Sequence, residues 1–183
     1  QVLKAMKRTA FFVDTSRGKL VNENDLYTDV STGLIAGAGL DVFENAVPGP
    51  TLHGRVGDTF VVTLVNHGSM GYSVDCHAGE RAPDDVMRTI PPGGSLTYRF
   101  TADRAGVWMY HCSTMPMSAH IAAGMHGAVV IEPDGLPAVD RSYLLVQSEV
   151  HLDGDGRTSV REVDAASAAA DTPDAVAFNG IAN

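Results

Sequence analysis

The stretch "YHCSTMPMSAHIAAGM", residues 110–125, sets Cys112, His120 and Met125 at the spacing C-x7-H-x4-M. A thiolate, an imidazole and a thioether are soft or borderline ligands. A blue copper centre uses this trio, with two imidazoles and the thiolate in a plane and a long axial methionine tuning the potential. Such a site needs the cysteine at the end of a strand and the other two ligands on the loop that follows. A cysteine and a methionine can also simply fill a core. The spacing, the Tyr-His ahead of Cys112 and the run "HGAVVIEP" behind Met125 favour copper. Adjacent strand residues point to opposite faces, so while Cys112 serves one ion, His111 reaches a second. Upstream, "GYSVDCHAG" offers Asp75 and His77, a carboxylate and an imidazole able to share that second site, one as ligand and one managing protons.

The elements that must position these residues come next. From Val47 onward, short runs at period two ("DTFVVTLVN", "SLTYRFTA", "GVWMYHC", "GAVVIEP", "SYLLVQSEV") are separated by Gly, Pro and Asp turns. This pattern predicts an antiparallel sandwich. Ahead of it, "TAFFVDTSRG" reads as a strand, "NENDLYTDVSTG" as a helix capped by Asn22 or Asn24 and stopped at Gly33, and "AGAGLDVF" as a second strand. Basic residues change near residue 46: Lys4, Lys7, Lys19, Arg8 and Arg17 precede it, and eight arginines with no lysine follow. The tail from residue 151 predicts turns, a short helix near 165–170 and a final "VAFNGIAN" that begins a further element and stops; Asp153 and Asp155 read as a turn rather than a calcium loop.

The net charge of -9 disfavours a nucleic-acid partner. No apolar run reaches the roughly 18 residues that a membrane span requires, and the N-terminus lacks a signal peptide's apolar stretch. Cys76 and Cys112 can pair as a disulfide in an oxidising compartment, but the neighbours of Cys112 argue for a free thiol.

Residues 47–183, through "VPGPTLHGRVGDTF", "VDCHAG", "PPGGSLTYRF", "GVWMYHC" and "GMHGAVVIEP", resemble the first cupredoxin domain of two-domain multicopper oxidases related to copper nitrite reductases. The resemblance implies a mainly β, Greek-key cupredoxin sandwich and copper as cofactor. It assigns a type 1 copper to Cys112, His120, Met125 and a histidine five residues before His77; here that place is held by Tyr72. It turns His77 and His111 toward a type 2 copper centre, completed by the second cupredoxin domain of a neighbouring subunit in a homotrimer. The electron donor is a small molecule or a protein, the acceptor oxygen or nitrite, and the compartment commonly extracellular or periplasmic. A phenol is a hard, mostly protonated substitute for an imidazole, so the type 1 site is expected to be impaired. His67 stands on another turn position, His126 reads as a surface or interface residue, and His53 and His151 carry no pattern. Cys76 takes the place of an aromatic before His77.

Residues 6–45, "MKRTAFFVDTSRGKLVNENDLYTDVSTGLIAGAGLDVFEN", resemble the D-2-hydroxyacid dehydrogenases near the end of their nicotinamide-binding domain. The resemblance sets Arg17 against a substrate carboxylate and Asp41 near the nicotinamide. Ala46 stands where the partner acid should be, and "GAGLDV" is not a G-x-G-x-x-G, because Val42 fills the third glycine's place. The expected organisation is a dehydrogenase-like strand-helix-strand fragment over 1–46, a cupredoxin domain over 47–150, and over 151–183 a linker with the opening of a missing second cupredoxin domain. In a competing arrangement the N-terminal segment supplies strands to the sandwich edge. In a competing function, Cys112, His120 and Met125 only pack, in a non-catalytic module.

Overall fold

The computed structural model of the chain describes residues 11–14, 37–40, 47–82, 84–154 and 162–182. Two sheets enclose the core. The first runs β3-β8-β7-β5, with β3 Leu52–Arg55, β5 Asp75–Cys76, β7 Gly106–His111 and β8 His126–Glu132. The second pairs β4 Thr59–Val65 with β6 Ser95–Thr101 in antiparallel register. Alternation sends Phe60, Val62 and Leu64 of β4 and Tyr98 and Phe100 of β6 inward, against Leu52, Val129 and Ile131 of the facing sheet. Phe60 and Phe100 are register partners whose rings stack with centroids 5.0 Å apart. One pairing departs from the antiparallel expectation: β3 runs parallel to β8, because the chain crosses the whole sandwich between them.

Cross-strand partners share a face, and the β7–β8 register therefore sorts the site residues. Trp108 opposite Val129 and Tyr110 opposite Gly127 line the core side, so His111 opposite His126 and Met109 opposite Ala128 line the other. Gly127 is required by close approach: a Cβ there would lie 2.4 Å from the Tyr110 ring. Tyr110 in turn donates to the Pro50 carbonyl at 2.7 Å.

The connection from β7 to β8, expected as a loop, contains helix α1, Met117–Ala122. Gly124, at φ 91°, terminates it in the left-handed conformation that glycine adopts without penalty. Of the run "SYLLVQSEV" only β9, Gln147–Val150, is strand. The residues near 165–170 form α2, Ala165–Ala170, capped by Asp164, whose carboxylate accepts from Ala166 N at 2.9 Å and Ser167 N at 3.0 Å. "VAFNGIAN" closes a hairpin, with β10 Ala175–Phe178 and β11 Ile181–Ala182 joined at Asn179 and Gly180, both at positive φ. β10 also pairs with β9, so these three strands form a sheet of their own.

Near the N-terminus, β1 Phe11–Asp14 and β2 Gly37–Leu40 pair in parallel, and β1 lies alongside β4. The helix expected over 22–33, together with Arg17, Asp41 and Asp155, lies outside the described residues. Among the described residues no helix is long and apolar enough to cross a membrane.

Candidate metal centres

Cys112 follows the last residue of β7 and is 2% exposed. Its Sγ lies 3.4 Å from His120 Nδ1 and 3.8 Å from Ser73 Oγ. His120, in the last turn of α1, is 7% exposed, and burial holds its pKa below the usual imidazole range, which keeps a lone pair free. Met125, 6% exposed, joins through its backbone: its carbonyl accepts from Cys112 N at 3.0 Å. The thiol and the imidazole thus meet, and the methionine is tied to the same cysteine.

Tyr72 stands at the same cluster. Its ring meets the His120 ring edge-on at a centroid distance of 5.7 Å, and its backbone is held by reciprocal bonds with Ile90 at 2.9 and 3.2 Å. Ser73, which no sequence signal singled out, fastens the loop carrying Tyr72 to the one after Cys112. It accepts from Ser113 N at 3.0 Å and contacts the Thr114 hydroxyl at 3.2 Å. His67 and His53 are both exposed.

A second cluster forms on the other side of the peptide between His111 and Cys112. His111 Nδ1 donates to the Cys112 carbonyl at 3.1 Å, which leaves Nε2 as the free nitrogen of the neutral ring. That Nε2 is 3.0 Å from His77 Nε2, and a donor atom from each of Asp75, His77 and His111 lies within 4.8 Å of the other two. Asp75 and His111 are buried and are register partners across β5 and β7; His77 begins the 3-10 turn His77–Gly79 and is exposed. Two imidazoles and a carboxylate suit a borderline divalent ion, and a metal held by both Nε2 atoms would require His77 to carry its ring proton on Nδ1. The donor sets of both clusters therefore fit copper: sulfur and nitrogen in the first, nitrogen and oxygen in the second.

Both cysteines are free. Cys76 belongs to the core rather than to a site: its Sγ contacts Tyr98 Oη at 3.6 Å, and burial pushes its thiol up to about 12. His126, read from sequence as a surface or interface residue, is buried within the chain, 6% exposed. The signal that could have found it was its spacing one residue beyond Met125 at the start of a strand, opposite His111. Its Nδ1 bonds the Ile121 carbonyl at 3.1 Å and its buried Nε2 has no hydrogen-bond partner. Burial lowers its pKa, an effect the Ile121 bond opposes and nearby His111 reinforces. His151, without a pattern in the sequence, is 4% exposed.

The family model described as "Multicopper oxidase" matches residues 36–135, beginning upstream of the change in composition near residue 46. The copper-containing nitrite reductase of Neisseria meningitidis serogroup B is 36% identical over 143 residues, covering 75% of this chain and 37% of that protein. The copper-containing nitrite reductase of Alcaligenes xylosoxydans xylosoxydans is 38% identical over 122 residues, covering 60% of this chain and 37% of its own length. Among solved structures, the copper nitrite reductase from Nitrosomonas europaea superposes with a TM-score of 0.66 at 35% identity, covering 75% of this chain and 47% of that one. A multicopper oxidase superposes at 0.60 with 30% identity, covering 74% and 45%. The chain spans less than half the length of each of these relatives. The sandwich is the cupredoxin-like Greek key that the sequence resemblance implied. With a family match over more than half its residues, the chain belongs to the multicopper oxidases.

Proposed function

We propose that residues 47–150 are a copper-binding electron-transfer domain. Cys112, His120 and Met125 hold one copper, and His77 and His111, with Asp75, provide half of a second site that a neighbouring subunit completes in a homotrimer. The observation that carries this reading is the back-to-back arrangement of the two clusters. A thiol and imidazole 3.4 Å apart and two imidazoles 3.0 Å apart are joined by the single peptide between Cys112 and His111. Copper, when bound, supplies one-electron oxidation and reduction. The chain's own residues do the rest: the Cys112 carbonyl fixes the His111 tautomer, and burial keeps His120 neutral. Asp75 lies beside the imidazoles as the carboxylate that manages protons. For the whole protein the reading is oxygen or nitrite reduction, with electrons drawn from a small-molecule or protein donor.

An anaerobic copper titration of the folded chain, followed by absorption, tests the proposal. The expected result is saturable binding with one thiolate-linked copper per chain. A titration without saturation would return Cys112, His120 and Met125 to a packing role.

The parallel pairing of β1 with β2 favours a separate reading of the N-terminal segment. Parallel neighbours need a crossover of about a dozen residues or more, and residues 15–36 lie between these two strands. We read residues 6–45 as a remnant of a D-2-hydroxyacid dehydrogenase fold, joined to the cupredoxin domain near residue 46. Ala46 in place of the acid and Val42 in place of a glycine leave it without hydride chemistry. The chain is therefore expected to form no NADH from D-2-hydroxy acids and NAD; formation that depends on Arg17 would overturn this reading.

A further inference from the structure

The Ser73 side chain is buried, and its hydroxyl stands among four partners: Cys112 Sγ at 3.8 Å, Ser113 N at 3.0 Å, Ser113 Oγ at 3.1 Å and Thr114 Oγ1 at 3.2 Å. A hydroxyl has one hydrogen to donate and two lone pairs to fill. The Ser113 amide and the Thr114 hydroxyl both donate to Ser73, so both lone pairs are taken. Its single hydrogen is left for Cys112 Sγ or Ser113 Oγ, two acceptors on neighbouring residues. The same count runs outward. Thr114 gives its hydrogen to Ser73, so at the 2.8 Å contact between Thr114 Oγ1 and Thr89 Oγ1 it is Thr89 that donates. The hydroxyls of Thr89, Thr114 and Ser73 thus donate in one direction, from an exposed side chain toward the buried end of the series.

We propose that Ser73 is a positioning residue for the copper held by Cys112: it donates its hydrogen to the Cys112 sulfur when that sulfur is a metal-bound thiolate, and the Thr89 and Thr114 hydroxyls behind it strengthen the bond. This inference rests on the reading of Cys112 as a copper ligand. Ser113 Oγ is the nearer acceptor, but it is neutral and only half-buried, whereas the sulfur is charged in that state and 2% exposed. Hydrogen bonds to charged groups are roughly twice as strong as neutral ones, and hydroxyls in series polarise one another. A sulfur that accepts this hydrogen gives less electron density to the metal. It carries more charge beside the reduced ion than beside the oxidised one, so the bond stabilises the reduced state. The same bond lowers the donor orbital on sulfur and moves the thiolate-to-metal absorption to shorter wavelength.

The test compares single variants of the full chain, loaded with copper and, separately, with cobalt(II), which gives a thiolate absorption without copper's change of oxidation state. Circular dichroism checks the fold of each. Ser73→Ala is expected to move the thiolate-to-metal absorption to longer wavelength. It should also lower the preference for reduced over oxidised copper by about tenfold, or about 59 mV for one electron. Ser113→Ala removes the competing acceptor and is expected to move both readings in the opposite direction. Thr89→Val, at the exposed end of the series, should shift the absorption in the sense of Ser73→Ala and by less. Ser73→Ala leaves two donors without an acceptor; if it fails to fold, the other two variants decide. The proposal is overturned if a folded Ser73→Ala or Thr89→Val absorbs as the unaltered chain does. It is also overturned if Ser113→Ala shifts in the same direction as Ser73→Ala, the mark of a loosened connection rather than of a hydrogen bond redirected. Absence of a thiolate absorption with either metal would instead remove Cys112 from the metal, and this inference with it.

Discussion

Serine in place of Cys112 is expected to abolish the thiolate-to-copper charge-transfer absorption of the copper-loaded chain. Copper affinity at that site should fall by at least the roughly 10- to 100-fold that outer-shell partners alone are worth. Oxygen is a harder donor than sulfur and is protonated at neutral pH as a hydroxyl. The fold should survive, because the replacement is of similar size and its buried hydroxyl would find Ser73 Oγ and His120 Nδ1, which already surround the sulfur at 3.8 and 3.4 Å. Circular dichroism checks the fold and copper-loaded absorption checks the site. An unchanged spectrum with equal copper content would remove Cys112 from the metal.

Tyr72→His is expected to act in the opposite direction, raising copper affinity by about tenfold or more and producing an intense blue absorption that the unaltered chain lacks. The Tyr72 ring already meets the His120 ring edge-on at 5.7 Å, and its backbone is fixed to Ile90, so an imidazole there would be delivered to the same cluster. A neutral imidazole offers the lone pair that a protonated phenol withholds. A site of one thiolate, one imidazole and one thioether is expected to favour the softer, reduced ion, or to bind the oxidised ion with a spectrum unlike that of a blue protein. The comparison is made between the two copper-loaded proteins at one pH. If the unaltered chain is as blue as the variant, Tyr72 is not at the metal.

The parts of this molecule that could be read from sequence are those where period and chemistry agree over several residues. β4 and β6 alternate cleanly between Gly and Pro turns, and the Cys-His-Met spacing sits on the strand and connection that such a site needs. β5 escaped because two residues carry no period, and β3 because Gly54 interrupts its pattern. The six residues of α1 are too few for a helical repeat to show, although "HIAAG" carried the alanines and the stopping glycine. The helix matters chemically, since it turns His120 back onto Cys112. His126 and His151 were misjudged or passed over because their burial comes from β9 and α2 packing across the ligand connection, contacts made between residues far apart in sequence. Asn179-Gly180 is a hairpin dipeptide, but "VAFNGIAN" reads in sequence only as the opening of a further domain, because its pairing with β9 joins residues about thirty apart in sequence.

The hydroxyl of Tyr110 bonded to Pro50, and the Gly49 amide bonded to the His126 carbonyl at 2.8 Å, close the sandwich edge just past the point where the basic residues change. Both bonds end on the strands that carry the ligands, so the alignment of β7 and β8 is locked from residue 49 onward. Residues 49 and 50 thus brace the two strands that lead into and out of the ligand connection, so the spacing between thiol and imidazole depends on backbone some sixty residues away in sequence.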